Sequence, residues 1–282
     1  MSRIDIRNIT KRYGSVTALD DVTVSFEEGR IYGLLGRNGA GKTTLLNIIT
    51  GRIFADEGEA LYDGVPVAEN ESVQGRIYMM SEANHYPEGM RVSDMFRWSR
   101  EFYGGFDTER AHSLSEAFGL NTRSRVKTLS TGYNTLCKAI VALCVDVPFI
   151  LLDEPVLGLD AHHRELLYRS LLECYARKPR TYIISTHLIE EVSGVIEHVA
   201  ILHRGRILRD CPCEELLTGG YTASGPAAAV DAFAADKTIL GGDTLGGLKS
   251  VCILSATPPA DVPAGIEITR LSLQKLFIRL TE

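Results

Sequence analysis

Ile31-Tyr32-Gly33-Leu34-Leu35-Gly36-Arg37-Asn38-Gly39-Ala40-Gly41-Lys42-Thr43-Thr44 decides how this chain is read. It opens as an almost unbroken apolar run, the pattern of a strand buried on both faces of a parallel sheet. Gly36 to Thr43 then match G-x-x-x-x-G-K-[ST], and KTTLLNIITG continues as a helix. A strand, a glycine-rich turn and a helix in that order build a cradle for phosphate. Glycines let the backbone curl so that the N–H groups of Asn38, Gly39, Ala40 and Gly41 turn inward, and the helix N-terminus adds partial positive charge. Lys42 is expected to reach the β and γ phosphates of a nucleoside triphosphate. Thr43 is expected to offer its hydroxyl to Mg2+, and Thr44 to add a phosphate contact.

Upstream, Ile4 to Phe26 holds short β-rich runs between turn residues, and the alternation of Val22, Val24 and Phe26 reads as a half-buried antiparallel strand. Downstream, VSDMFRWSREFY and ERAHSLSEAF carry apolar residues three and four apart, predicting mostly helical structure from about Val92 to Cys144, within a helical subdomain over about 83–147. Buried-strand runs then alternate with helices: FILLD (149–153), a helix over AHHRELLYRSLLECYA, TYIIS (181–185), a helix from His187, and VAILH (199–203). The fold class is therefore α/β, with an antiparallel β subdomain, a parallel-sheet core and a helical insertion. After Thr218 the composition turns to Gly, Ala, Pro and Asp, with a Pro258-Pro259 turn, and residues 219–282 read as a small α+β accessory domain following a nucleotide-binding domain over 1–218. Its last helix places Leu273, Leu276, Phe277 and Leu280 on one face, as core packing requires.

At 282 residues, 45% of them hydrophobic, the chain can bury a full core without staples. Its six cysteines lack paired metal-ligand spacing; Cys211-Pro-Cys213 has no second pair and reads as loop composition. With no secretory signal in MSRIDIRNITKRY, a reduced cytoplasmic setting is expected. The longest apolar stretch, Ile140 to Leu152, carries Asp146 and Pro148 and falls short of the about 20 residues that span a bilayer. A net charge of −6 with dispersed Lys and Arg argues against a nucleic-acid partner.

Phe149-Ile150-Leu151-Leu152-Asp153-Glu154 sets two carboxylates at the end of a buried strand, which in α/β sheets borders the ligand crevice. Asp153 suits Mg2+ through a water, and Glu154 suits a base that polarises an attacking water. Alone the pattern is weak; beside the phosphate loop it is strong.

Between these motifs lies Leu129-Ser130-Thr131-Gly132-Tyr133, and after them come Gly158-Leu159-Asp160 and Ser185-Thr186-His187. In this order the set resembles the ATP-binding cassette of ABC transporters, a P-loop NTPase fold, over roughly residues 3–218. The resemblance implies an ATP-hydrolysing subunit with ATP and Mg2+ as ligands. It is expected to dimerise around two nucleotides, as a homodimer or with a different cassette, and to drive a separate membrane permease from the cytoplasmic face. It also implies that Tyr13 stacks on adenine, that Ser130 and Gly132 cap the γ-phosphate held by the opposite subunit, that Asp160 crosses the interface, and that His187 contacts the γ-phosphate. The permease is expected to meet the insertion around Tyr86 to Tyr103.

Two departures stand out. Thr131 and Tyr133 occupy positions that are commonly glycine and glutamine. The glutamine that commonly touches Mg2+ and water is missing as well, leaving Ser81 and Glu82 to serve as weaker metal ligands or as plain loop, two readings the residues support equally. The tail LSLQKLFIRLTE more loosely resembles cassettes of bacterial exporter-type permeases. The alternative, a soluble ATPase acting on nucleic acid or ribosomes, fits less well: there is one phosphate loop and no long coiled-coil insertion. A GTPase fits least, since no N-K-x-D motif occurs.

Overall fold

The computed structural model describes residues 2–255 and 262–281; the Pro258-Pro259 turn lies outside them. Strands β1 (Arg3–Tyr13) and β2 (Val16–Glu27) pair antiparallel with Ile4 opposite Phe26. They are longer than the short runs expected, and the intervening polar residues are absorbed by register shifts between Ile6 and Arg12. The buried strand β3 (Ile31–Leu35) leads through the glycine-rich loop into α1 (Lys42–Ile49). Next come β4 (Glu57–Tyr62), β5 (Val65–Pro66), the single turn α2 (Glu71–Gln74) and β6 (Ile77–Met80). The insertion supplies α3 (Val92–Tyr103), α4 (Thr108–Ala117) and α5 (Thr131–Cys144). Then β7 (Phe149–Asp153), α6 (Ala161–Arg177), β8 (Thr181–Thr186), the single turn α7 (Ile189–Val192), β9 (His198–His203) and β10 (Arg206–Pro212) follow.

The strands form a four-stranded antiparallel sheet, β2-β1-β4-β5, and a six-stranded sheet ordered β10-β9-β3-β8-β7-β6. Within the latter, β3, β8, β7 and β6 run parallel. Helix α1 joins the two sheets through one core: Leu45, Leu46 and Ile49 are fully buried together with Ile4, Ile6 and Phe26 from one sheet and Leu34, Phe149 and Leu151 from the other. The Val22, Val24, Phe26 alternation is inward, with Thr23, Ser25 and Glu27 exposed. Strand order places β8 between β3 and β7, so the residues leaving all three strands share one end of the sheet.

The helical reading from Val92 to Cys144 is met by α3 to α5. Ahead of α3, the irregular segment 83–91 carries Pro87 and Gly89 and is tied to 126–127, Val126 N–H to Met90 O and Lys127 N–H to Glu88 O. One sequence expectation shifts. The helix expected from His187 is one turn, closed at Ser193.

The chain divides into two compact units, Met1–Ile196 with Ala200–Arg209, and Glu197–Val199 with Asp210–Glu282. The second unit adds α8 (Cys213–Thr218), β11 (Gly220–Pro226), α9 (Ala227–Ala234), β12 (Thr238–Leu245), β13 (Leu248–Leu254), β14 (Glu267–Arg270) and α10 (Leu273–Thr281). Its sheet is antiparallel, ordered β12-β13-β11-β14, and α10 buries Leu273, Leu276 and Phe277 while Leu280 is half-buried. Among the described residues no helix is long and apolar enough to cross a membrane.

Candidate nucleotide-binding site

A crevice of about 410 Å3 opens at the ends of β3, β7 and β8, lined by Tyr13, residues 38–44, Glu82, Glu154 and His187. Gly36 is confined by close approach, since a Cβ there would stand 2.7 Å from the Leu202 carbonyl oxygen. Gly39 and Gly41 have φ of 78° and 107°, in the left-handed region that turns loop N–H groups inward. Lys42 is buried; its Nζ donates to Gly36 O at 2.8 Å and Arg37 O at 3.4 Å and lies 3.3 Å from Glu154 Oε1.

The two acids leaving β7 are held differently. Asp153 is fully buried and accepts from Thr43 Oγ1 at 2.9 Å and Ser185 Oγ at 2.6 Å, which ties the loop, β7 and β8 to one carboxylate. Glu154 accepts from Thr186 Oγ1 at 3.0 Å, and its Oε1 lies 2.9 Å from His187 Nδ1. Its backbone sits at φ 47°, a conformation that costs a non-glycine residue on the order of 1 kcal/mol or more. The bend is fixed by the Glu154 N–H donating to Ser185 O, and it returns the carboxylate toward Lys42 instead of along the strand.

Thr43 and Glu82 line the crevice, and the buried Asp153 carboxylate stands directly behind Thr43 Oγ1, an oxygen set that suits a small hard divalent cation. No group of three or more His, Cys, Asp or Glu able to hold a metal occurs among the described residues. Hydroxyl and carboxylate oxygens of this kind fit Mg2+, which fills its remaining positions with water and phosphate.

Tyr13 is half exposed at the rim of the crevice, with Lys11 Nζ 5.7 Å from its ring centroid. Glu82 faces the crevice, whereas Ser81 lines a neighbouring cavity of about 460 Å3 with Arg52, Tyr78, Tyr86, Trp98 and Phe102. Ser130, Gly132 and Asp160 are not brought into the crevice. Ser130 caps α5, accepting from the Tyr133 N–H, and Asp160 caps α6, accepting from the His163 N–H at 2.9 Å. That backbone bond, followed by the His163 side chain, holds the exposed Asp160 carboxyl below the usual range. Gly132 lies against the loop before α6: a Cβ on it would stand 2.8 Å from Gly158 O.

Three functional groups escape a reading by motif. Ser185 and Thr186 are quoted in the sequence only as companions of His187, yet each donates to one of the two acids. Lys138 is buried on α5, and its Nζ donates to Ser81 O at 2.8 Å and Glu82 O at 2.6 Å. Burial holds its ammonium below the usual lysine range, opposed first by Glu82. A signal for it does exist: a lone cation inside TLCKAIVALC, an otherwise apolar helix, has to find partners.

Residues 19–157 match the family profile described as ABC transporter. The chain is similar to the ABC transporter ATP-binding protein YtrB of Bacillus subtilis, 29% identical over 76% of this chain and 73% of the relative. An uncharacterized ABC transporter ATP-binding protein of Methanocaldococcus jannaschii is 30% identical over 76% of this chain and 79% of its own length. Names among the other relatives cover both import and export. A crystal structure of a nucleotide-free ATP-binding cassette from an ABC transporter superposes with a TM-score of 0.65 at 25% identity, covering 77% of this chain and 94% of that one.

Proposed function

The chain belongs to the ABC transporter family of ATP-binding, ATP-hydrolysing proteins, and on that premise we propose how its residues perform the reaction and whom they serve. The nucleotide-binding part, expected over 1–218, would rest on the unit of Met1–Ile196 with Ala200–Arg209, and the accessory part, expected over 219–282, on the unit that also takes in Asp210 to Thr218. Tyr13 stacks on the adenine ring, while the N–H groups of residues 38–44 and Lys42 hold the phosphates. Thr43 and Asp153, with Glu82, would hold Mg2+, which neutralises charge on the β and γ phosphates. Glu154 polarises the attacking water as base. His187, bonded to Glu154 through Nδ1, keeps Nε2 for the γ-phosphate and steadies the carboxylate. Lys42 offsets the charge that develops on the transferred phosphoryl group.

The observation that carries this reading is the convergence on Glu154 of Thr186, His187 and Lys42, all at the mouth of the phosphate loop. The family resemblance assigns Ser130, Gly132 and Asp160 to the opposite subunit's nucleotide, and their place outside that crevice is in keeping with it; two cassettes, alike or different, would then close around two ATP·Mg2+. The apolar cavity beside the crevice is assigned to a permease on the cytoplasmic face of the membrane. Its rim carries Trp98 and Phe102, which stack 5.7 Å apart and are 45% and 76% exposed. Export is the direction favoured by the tail's likeness to exporter-type cassettes.

Glu154→Gln tests the core of this proposal. The variant is expected to bind ATP·Mg2+, to accumulate as an ATP-dependent dimer by light scattering, and to lose about 100-fold or more in turnover. Unchanged turnover would remove Glu154 from the role of base.

A further inference from the structure

We propose that Lys138 is a positioning residue for hydrolysis: its ammonium clamps the backbone carbonyls of Ser81 and Glu82 and so holds the Glu82 carboxylate against the phosphate crevice. This rests on the nucleotide reading of that crevice given above.

The geometry is specific. Beyond Met80 the chain leaves β6 and runs without regular structure to Val92, so nothing periodic fixes where Glu82 points. At the start of that segment, two consecutive carbonyls converge on one Nζ, at 2.8 and 2.6 Å. Two acceptors on adjacent residues fix the orientation of the peptide between them, where one would leave it free to rotate. That peptide carries Glu82, whose side chain lines the same crevice as Lys42, Thr43 and Glu154.

The cation is also costly where it stands. Lys138 is 7% exposed on a helix that otherwise buries Leu136, Cys137, Ala139, Ile140 and Val141, and what holds its ammonium is backbone oxygen rather than a carboxylate. A methionine of similar length would avoid the desolvation, so retention of charge is explained by what it holds. Lys138 and Met80 line both the apolar cavity and a smaller one of about 200 Å3 that reaches Glu82, Asp153 and Glu154. Of the two, only Lys138 can grip a polar group. A side chain entering the apolar cavity therefore meets the residue that sets the Glu82 backbone.

The test uses the full chain and four forms: wild type, Lys138→Met, Glu82→Gln and the double variant. Amide hydrogen exchange over residues 81–86 is read first, without nucleotide. Lys138→Met is expected to speed exchange there by about tenfold or more, the scale of a charge-assisted hydrogen bond, with the loop at 36–44 unchanged. In steady-state ATPase assays it is expected to lower kcat by about tenfold and raise the Mg2+ concentration for half-maximal rate, with KM for ATP within about twofold. The double variant is expected to be no slower than the slower single one, because both remove the same placed carboxylate.

Unchanged exchange in Lys138→Met overturns the proposal, and so do kcat losses that multiply in the double variant. If Lys138→Met does not fold, Glu82→Gln decides alone: a wild-type rate and Mg2+ dependence there overturns the proposal. A wild-type chain that fails to bind ATP·Mg2+ overturns the nucleotide reading itself, a result distinct from any of these.

Discussion

Replacing Ser185 with Ala removes one hydroxyl from the most buried polar contact at the crevice. The bond to Asp153 Oδ1 is 2.6 Å long and both residues are 0% exposed, so it is charge-assisted and unscreened by water. Hydrogen bonds to charged groups contribute about 1.5–3 kcal/mol. Asp153 keeps the Thr43 hydroxyl on its other oxygen, which prevents the carboxylate from being stripped bare and sets the expected loss near 2 kcal/mol. With a urea slope of about 2–3 kcal/mol per molar, the midpoint should fall by roughly 0.7–1 M. The loss should depend on the acid: in an Asp153→Ala background, Ser185→Ala should cost less than about 0.5 kcal/mol. The same substitution frees Asp153 to turn, so the Mg2+ concentration needed for half-maximal ATPase should rise by about tenfold. Urea denaturation of the four forms of the cycle, with Mg2+ titration of the two that retain Asp153, measures both. A Ser185→Ala midpoint within error of wild type, or an equal loss without Asp153, would refute the assignment of that hydroxyl as a support for the carboxylate.

Two further outcomes are expected. Gly132→Ala drives a Cβ to 2.8 Å from Gly158 O, backbone against which little can yield, and overpacking of this kind costs about 1–3 kcal/mol. Gly132 lies outside the crevice, so ATP affinity of the isolated chain should change by less than about twofold while ATP-driven dimerisation and turnover fall by about tenfold or more; normal turnover would contradict the assignment of Gly132 to the dimer. The Asp160 carboxyl is depressed below 3.8 by the His163 N–H and side chain, so its capping contribution is complete above pH 3.8 and is lost as pH falls through the lower folded-state value. Urea midpoints of wild type and Asp160→Ala should differ at about pH 5 and converge below pH 3.8, and a gap that persists in acid would contradict this.

Which parts of the site were legible in the sequence follows from how local each signal is. FILLD and IYGLL declare themselves as strands because they are buried on both faces and so are apolar without interruption, and β7 and β3 occupy those runs. The carboxylates at a strand end and the lysine at a helix start need only a few neighbouring residues to be recognised. The partners of the two acids do not: Ser185 and Thr186, which donate to Asp153 and Glu154, look like any strand end until β8 is known to lie beside β7. Ser81 and Glu82 could not be ranked from sequence because the chain around them is irregular, and which one faces the crevice is set by a lysine 56 or 57 residues away. The start of the insertion's first helix at Val92 was legible in its apolar spacing. The tie of Glu88 and Met90 to 126–127 was not, because such a pairing is invisible to periodicity.

The placement of β8 has a consequence for the order of assembly. Thr43 meets Asp153 across 110 residues of chain, and Ser185 joins that carboxylate from 32 residues further on. In the finished sheet the strand between β3 and β7 is the last of the three to be synthesised. A nascent chain that has emerged only as far as β7 holds the whole glycine-rich loop and both acids, yet it has a gap where their common neighbour belongs. Contacts this distant in sequence form late, because the closure entropy is met before the bond rewards it. A polypeptide that stops short of residue 186 therefore lacks the two hydroxyls, Ser185 and Thr186, that hold both acids at the mouth of the loop.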